Sequence, residues 1–277
     1  MPAPPSCSNP LAGLRFTGLR FLLPMQRLIV LDFDGVICDS APENAATAWR
    51  VCQFLWPERF PAGPVHESAI ARFCAVRPYM ETGYQSILMT RMMQEGAPAE
   101  QYTTGLAEWQ ARNLARLGLT KPELQQLFGA ERDRWIANDL EGWLSYNRYY
   151  PGAAEALARL AQEARLVILT TKERRFVQQL MRREGIDFAE ADIYGLHEIR
   201  NKETTLAQFV ASREFSSVTF VEDRLATLQR ILPVPALAEL RLAYAPWGYT
   251  TPRQRAEAQA EPRIAILTAL TDLETTA

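Results

Sequence analysis

The chain carries only two histidines, His66 and His197, and four cysteines, Cys7, Cys38, Cys52 and Cys74, among its 277 residues. No two cysteines form a CxxC pair, so a zinc site is hard to assemble. A chain this long can bury a sufficient core without disulfides, so a disulfide framework is not expected. The compartment this implies is reducing, and the expected location is cytoplasmic. No apolar run approaches the roughly 18–20 residues that a bilayer span needs. With 14 glycines and 18 prolines, the chain is neither collagenous nor of low complexity. Basic residues are not in excess: 30 Lys and Arg against 32 Asp and Glu leave a net charge of −2. That balance argues against a nucleic-acid partner, and neither nucleic acid nor membrane is expected to bind. An apolar fraction of 48% with 22% charged residues excludes a disordered chain.

The first 24 residues contain no acid, and Asp32 is the first in the sequence. Arg15 and Arg20 interrupt their only apolar stretch, which makes a poor secretory signal. An Arg-bearing targeting segment fits this composition. A non-structural extension fits it better, as from a start assigned too early, because Met25 opens directly onto a buried-strand pattern. Residues 1–24 are therefore expected to lie outside the fold.

From Met25 onward the chain is strongly patterned. Arg27–Phe33, RLIVLDF, is a β-branched apolar run ending in acids and Gly35, as in a central strand covered on both faces. Residues 41–149 read as helical throughout, with candidates at 45–55, 73–93 (one helix or a pair), 99–117, 122–128 and 130–146, and no convincing strand. After Pro151-Gly152 strands and helices alternate. Strands are expected at 165–171, 191–194, 217–221 and 240–245, and a strand or helix start at 262–267. The helices lie between them, at 153–163, 173–184, 202–212 and 224–231. Such alternation predicts an α/β fold: a Rossmann-like parallel sheet with helices on both faces. The core comprises residues 25–40 and 150–277, and an all-helical domain at 41–149 is inserted between them.

In an open parallel sheet, ligands bind beyond the carboxyl ends of the strands. The polar residues there are Asp32 and Asp34, then Thr170 and Thr171, then Glu222 and Asp223, with Lys202 opening a helix. Clustered carboxylates without histidine suit a hard cation such as Mg²⁺. An Asp can also attack phosphorus to give an aspartyl-phosphate. A Lys and a Thr hydroxyl would then hold the phosphoryl oxygens.

These segments resemble the four motifs of the haloacid dehalogenase-like superfamily. LDFDGVICDS is similar to the first motif, VILTTK to the second, Lys202 in RNKETTL to the third and VTFVEDR to the fourth. A long helical insert directly after the first motif is what that family calls a C1 cap. YYPGAAEAL resembles the return to the core in its phosphoglycolate-phosphatase-like members. The resemblance implies roles. Asp32 would be the nucleophile. Asp34 would protonate the leaving oxygen and then activate water, its carbonyl also binding Mg²⁺. Thr170 and Lys202 would hold the phosphate, and Asp223 would bind the metal. The fourth motif departs from its common form, because Glu222 stands where a Gly is usual and Thr227 and Leu228 stand where a second acid is expected. Glu222 would then supply the second acid of a paired form, as a direct metal ligand or as an acceptor beside one.

Within the insert, Arg77, Glu81 and Tyr84 fall at i, i+4 and i+7 and are expected on one helix face. They would read the leaving group of the substrate or form an ordinary ion pair on a solvated face. Lys172 is expected to be solvated at the start of its helix, and His197 to be structural. The function implied is a Mg²⁺-dependent phosphatase acting on a small phosphorylated metabolite. A phosphomutase of the β-phosphoglucomutase type and a catalytically impaired binding protein on the same scaffold are the alternatives.

Overall fold

A computed structural model describes residues 25–98 and 100–274; the expectation for residues 1–24 lies outside them. The order of elements is β1 (Arg27–Leu31), β2 (Cys38–Asp39), α1 (Ala41–Leu55), α2 (Glu67–Val76), α3 (Gln85–Gln94), α4 (Glu100–Thr103), α5 (Leu106–Leu117), α6 (Lys121–Asn138), α7 (Leu140–Ser145) and β3 (Arg148–Tyr149). It continues with α8 (Ala153–Glu163), β4 (Ala164–Leu169), α9 (Arg174–Arg183), β5 (Ile193–Tyr194), α10 (Lys202–Ser212), β6 (Val218–Glu222), α11 (Leu225–Ile231), β7 (Arg241–Tyr244), α12 (Pro252–Gln259) and β8 (Ile264–Ile266).

Six strands form one parallel sheet in the order β5-β4-β1-β6-β7-β8. Successive side chains of a strand face opposite ways, and β1 shows what that does. Ile29 and Leu31 pack with Leu157, Leu160, Phe176 and Leu180 of α8 and α9. Leu28 and Val30 pack on the other face with Leu206, Leu225, Leu228 and Ile231 of α10 and α11. Being apolar on both faces, RLIVL is driven to the interior of the sheet, with helices on either side.

Residues 45–128 build a separate apolar cluster that includes Val51, Phe60, Phe73, Ile87, Trp109 and Leu124, while Trp135, Trp143 and Leu144 of α6 and α7 pack with the sheet. The chain enters and leaves this region through β2 and β3, which pair antiparallel with Cys38 opposite Tyr149 and Asp39 opposite Arg148. The strand β3 is absent from the sequence reading of 41–149, because two residues are too few to show an alternation.

Three helix expectations change, one of them being the stretch 99–117, which divides into α4 and α5 at Gly105. The segments at 122–128 and 130–146 are not two helices meeting at Gly129. The first helix, α6, opens with a Thr120–Glu123 capping box and runs through Gly129 to Asn138. Gly129 serves close packing rather than a break, since a Cβ there would lie 2.6 Å from Glu173 Oε1. The stretch 73–93 divides into α2, a 3₁₀ turn at Arg77–Tyr79 and α3. Pro78 has no amide N–H to continue the helical ladder; Arg77 stays helical, and the chain becomes extended at Met80. No helix among the described residues is long and apolar enough to cross a membrane.

Candidate active site

The loops beyond β1, β4 and β6 converge on a cavity of about 260 Å³ whose lining includes Asp32, Asp34, Thr170, Lys202, Glu222 and Asp223. Strand β1 delivers the first two. The Asp32 amide donates to Val221 O at 3.0 Å, prolonging the β1–β6 ladder by one residue. The chain then turns at Gly35, whose φ is +90° and where a Cβ would lie 2.1 Å from Asp223 Oδ2. Only glycine allows the turn after β1 to approach the acid after β6 this closely.

Lys202, buried at the start of α10, joins two acids. Its Nζ lies 3.1 Å from Asp32 Oδ2 and 2.8 Å from Glu222 Oε2. Glu222 Oε1 accepts from the Arg224 amide at 3.1 Å, and Asp223 Oδ2 accepts from the Tyr249 amide at 2.6 Å. Asp32, Glu222 and Asp223 each present an oxygen, and these oxygens lie within 4.8 Å of one another. Burial pushes Asp32 up to about 7, opposed by Lys202 and reinforced by Glu222 and Asp34. Burial together with Glu222 and Asp32 also pushes Asp223 well above its ordinary value. Burial works to raise Glu222 as well, yet Lys202, together with hydrogen bonds from Asp223 and the Arg224 amide, holds that carboxyl below its ordinary value. Fully ionised, the three acids would carry three negative charges against one lysine. An all-oxygen, strongly acidic pocket of this kind fits a hard divalent cation, which would balance the remaining charge.

Asp34 is treated differently. Its Oδ1 accepts from the Ser40 hydroxyl at 2.6 Å and from Lys172 Nζ at 3.1 Å. Burial works to raise Asp34, but Lys172, Ser40 and the more distant Arg77 and Arg132 hold it below its ordinary value. Its side chain does not join the three-acid cluster. The expected solvated Lys172 is thus corrected: its side chain has no solvent exposure. The turn after β4 folds the Lys172 amide onto Thr170 Oγ1 at 3.2 Å and carries the side chain inward.

A profile of the haloacid dehalogenase-like hydrolases matches residues 26–229. The chain belongs to this family. It is a hydrolase, and the parallel sheet with a helical insert is the fold expected of it. No curated protein matches the chain. Among solved structures it is similar to a predicted phosphoglycolate phosphatase from Haemophilus somnus, with 17% identity and a TM-score of 0.57 over 91% of this chain and 98% of that one. A candidate haloacid dehalogenase-like hydrolase from Bacteroides fragilis has 17% identity and a TM-score of 0.55 over 89% and 98%. At such identity the likeness concerns the fold.

The residues expected to read the leaving group in this hydrolase are split. Arg77 lies in the 3₁₀ turn, Glu81 in the following loop and Tyr84 just before α3, so no common helix face exists. Arg77 and Glu81 line the main cavity, and the Arg77 guanidinium stacks on the Tyr249 ring at 4.2 Å. Glu81 pairs with Arg224 at 3.0 Å and Arg230 at 3.2 Å, tying the insert to the sheet. Tyr84 is buried in the apolar cluster of the insert and reaches only a smaller adjoining recess. His197 contacts Glu173 at 3.2 Å and does not line the cavity. Sequence reasoning missed Ser40, Glu43, Arg132 and Tyr249. Ser40 alone carried a signal, since it stands in the LDFDGVICDS motif.

Proposed function

We propose that this hydrolase is a Mg²⁺-dependent phosphatase that cleaves a small phosphorylated metabolite through an aspartyl-phosphate on Asp32. The observation that carries the reading is the opposite treatment of two carboxylates at the end of one strand. Asp32 sits with Lys202 in the acidic cluster, and Asp34 sits in a neutral one. Pairs of titratable groups pushed apart by their surroundings mark a division of chemical labour.

In this mechanism a carboxylate oxygen of Asp32 bonds to phosphorus as the bond to the leaving oxygen breaks. Asp34 donates a proton to that oxygen. The negative charge of an arriving phosphate raises the affinity of Asp34 for that proton. Water then attacks the acyl phosphate, Asp34 takes its proton, and inorganic phosphate leaves with Asp32 restored. The Thr170 hydroxyl and Lys202 ammonium hold the phosphoryl oxygens. Asp32, Asp223 and the Asp34 carbonyl would hold Mg²⁺, with Glu222 as a further ligand or as an acceptor beside it, and the cation would neutralise charge on the transferring group. Arg77 and Glu81, on the cavity wall, would face the leaving group. Residues 41–149 act as a cap over a core of 25–40 and 150–277. The free thiols of Cys38, Cys52 and Cys74 support a reducing, cytoplasmic setting.

The test is phosphate release from a panel of phosphorylated metabolites and 4-nitrophenyl phosphate, with and without Mg²⁺. Turnover is expected only with the metal, and Asp32→Asn is expected to lower it by about 10⁴-fold or more while the protein remains folded. A bisphosphate intermediate would establish the mutase instead. Absence of turnover with every substrate would leave a binding protein.

A further inference from the structure

The groups assigned to phosphoryl transfer leave unexplained a second set of charges that runs from Asp34 into the helical insert. Lys172 Nζ stands 3.1 Å from Asp34 Oδ1 and 4.0 Å from Glu43 Oε2. Glu43, on α1, accepts from Arg132 Nε at 2.8 Å and Arg132 Nη2 at 2.5 Å. It also accepts from the Thr47 hydroxyl at 2.6 Å and the Trp143 indole at 3.1 Å. The Lys172 and Glu43 side chains have no solvent exposure. Two anions and two cations alternate along this path, so its charge balances without a cation from solution. Buried ions are costly, and a chain of them is weak evidence for stability. It does fix geometry.

We propose that Lys172 is a positioning residue for the proton-transfer group of this hydrolase. Together with Ser40 it clamps Asp34 Oδ1, and the Glu43–Arg132 pair holds Lys172 in place from behind. No donor among the described residues reaches Asp34 Oδ2, so that oxygen is the one presented to the leaving group. In the first half-reaction the proton on Oδ2 passes to the leaving oxygen as its bond to phosphorus breaks and the bond from Asp32 forms. The proposal rests on the acid–base role given to Asp34 above.

The experiment compares kcat/KM for two substrates of similar size, benzyl phosphate and 4-nitrophenyl phosphate, in the Mg²⁺-loaded protein. Benzyl alcohol is a poor leaving group and needs the proton; 4-nitrophenol departs without it. Asp34→Asn is expected to cut kcat/KM for benzyl phosphate by at least about 10²-fold more than for 4-nitrophenyl phosphate, the range of general-acid contributions. Lys172→Met is expected to show the same selective loss, and Lys172→Arg a smaller one. Because the ratio of the two substrates does not depend on the folded fraction, a purely structural defect leaves it unchanged. If Lys172→Met yields no folded protein, Lys172→Met with Glu43→Gln removes one buried charge of each sign and is read in the same way. Equal losses on both substrates in the Lys172 variants, with a selective loss in Asp34→Asn, would overturn the proposal alone. A non-selective Asp34→Asn would overturn the role of Asp34 and the proposal with it.

Discussion

Asp32 and Asp34 are separated only by Phe33, yet they inhabit different electrostatic environments. Asp32 shares Lys202 with Glu222 and lies beside Asp223, an arrangement two charges short of neutrality once all three acids are ionised. Asp34 faces Lys172 and Ser40 and, behind them, Glu43 with Arg132, an arrangement already neutral. Burial acts on both carboxyls alike, so the neighbours decide the direction: Asp32 is pushed up to about 7 and Asp34 is held low. The first environment calls for a dication, and the second is complete without one.

The largest effect expected from breaking this contrast is at Asp223. Asp223→Ala removes an oxygen from the acidic cluster and should leave turnover down about 10³-fold or more at any accessible Mg²⁺ concentration. Glu222→Gln should cost only about 10–100-fold and recover in part at high Mg²⁺, since both Glu222 oxygens already hold Lys202 and the Arg224 amide. Activity against Mg²⁺ concentration for the two variants checks this; equal, unrescued losses would contradict it.

On the neutral side the expected cost is in stability. Glu43→Gln leaves Arg132 and Lys172 without their shared carboxylate and should destabilise the fold by about 3–5 kcal/mol. Denaturant unfolding measures it, and a loss below about 1 kcal/mol would show that the chain of charges relaxes freely.

The two environments should also answer pH with opposite sign. Asp32 and Asp223 bind protons more tightly folded than unfolded. Between the ordinary aspartate value of 3.8 and about 7, the folded protein therefore holds protons that the unfolded chain has released. Metal-free stability must fall as pH rises through that window. Asp34, Glu43 and Glu222 are shifted downward and contribute stability that is lost as pH falls. Above about pH 5.5 these three are ionised in both states and add no slope. The melting temperature of the metal-free protein should thus decline from about pH 5.5 to 7.5, and Mg²⁺ should flatten the decline. Thermal unfolding with and without Mg²⁺ tests it, and Asp32→Asn should weaken the slope. A rising curve without metal would refute the assignment.

The smallest effect concerns Glu81, which spans the insert and the sheet but is 42% exposed. Glu81→Ala should cost less than about 1 kcal/mol in stability, as exposed ion pairs do, while shifting KM with kcat nearly intact. Steady-state kinetics beside an unfolding curve would separate the two, and a large stability loss would contradict a surface contact.

The alternation of strands and helices, the doubly apolar β1 and the placement of Asp32, Asp34, Thr170 and Asp223 at strand ends, with Lys202 at a helix start, were all legible in the sequence. Each depends on local periodicity and short motifs. Lys172 was not, because a lysine after two threonines reads as solvated until the turn beyond β4 is known. Nor was the division of Arg77, Glu81 and Tyr84, since i, i+4 spacing has meaning only if the helix continues through Pro78. Tertiary structure alone decided which lysine met which acid. Lys172 and Asp34 are 138 residues apart, and Arg132 and Glu43 are 89 apart. No local pattern encodes such pairings. They arise because the parallel sheet brings the ends of β1, β4 and β6 to one edge, while α1 and α6 of the insert pack above it. Charges held together there, away from water, act strongly on one another.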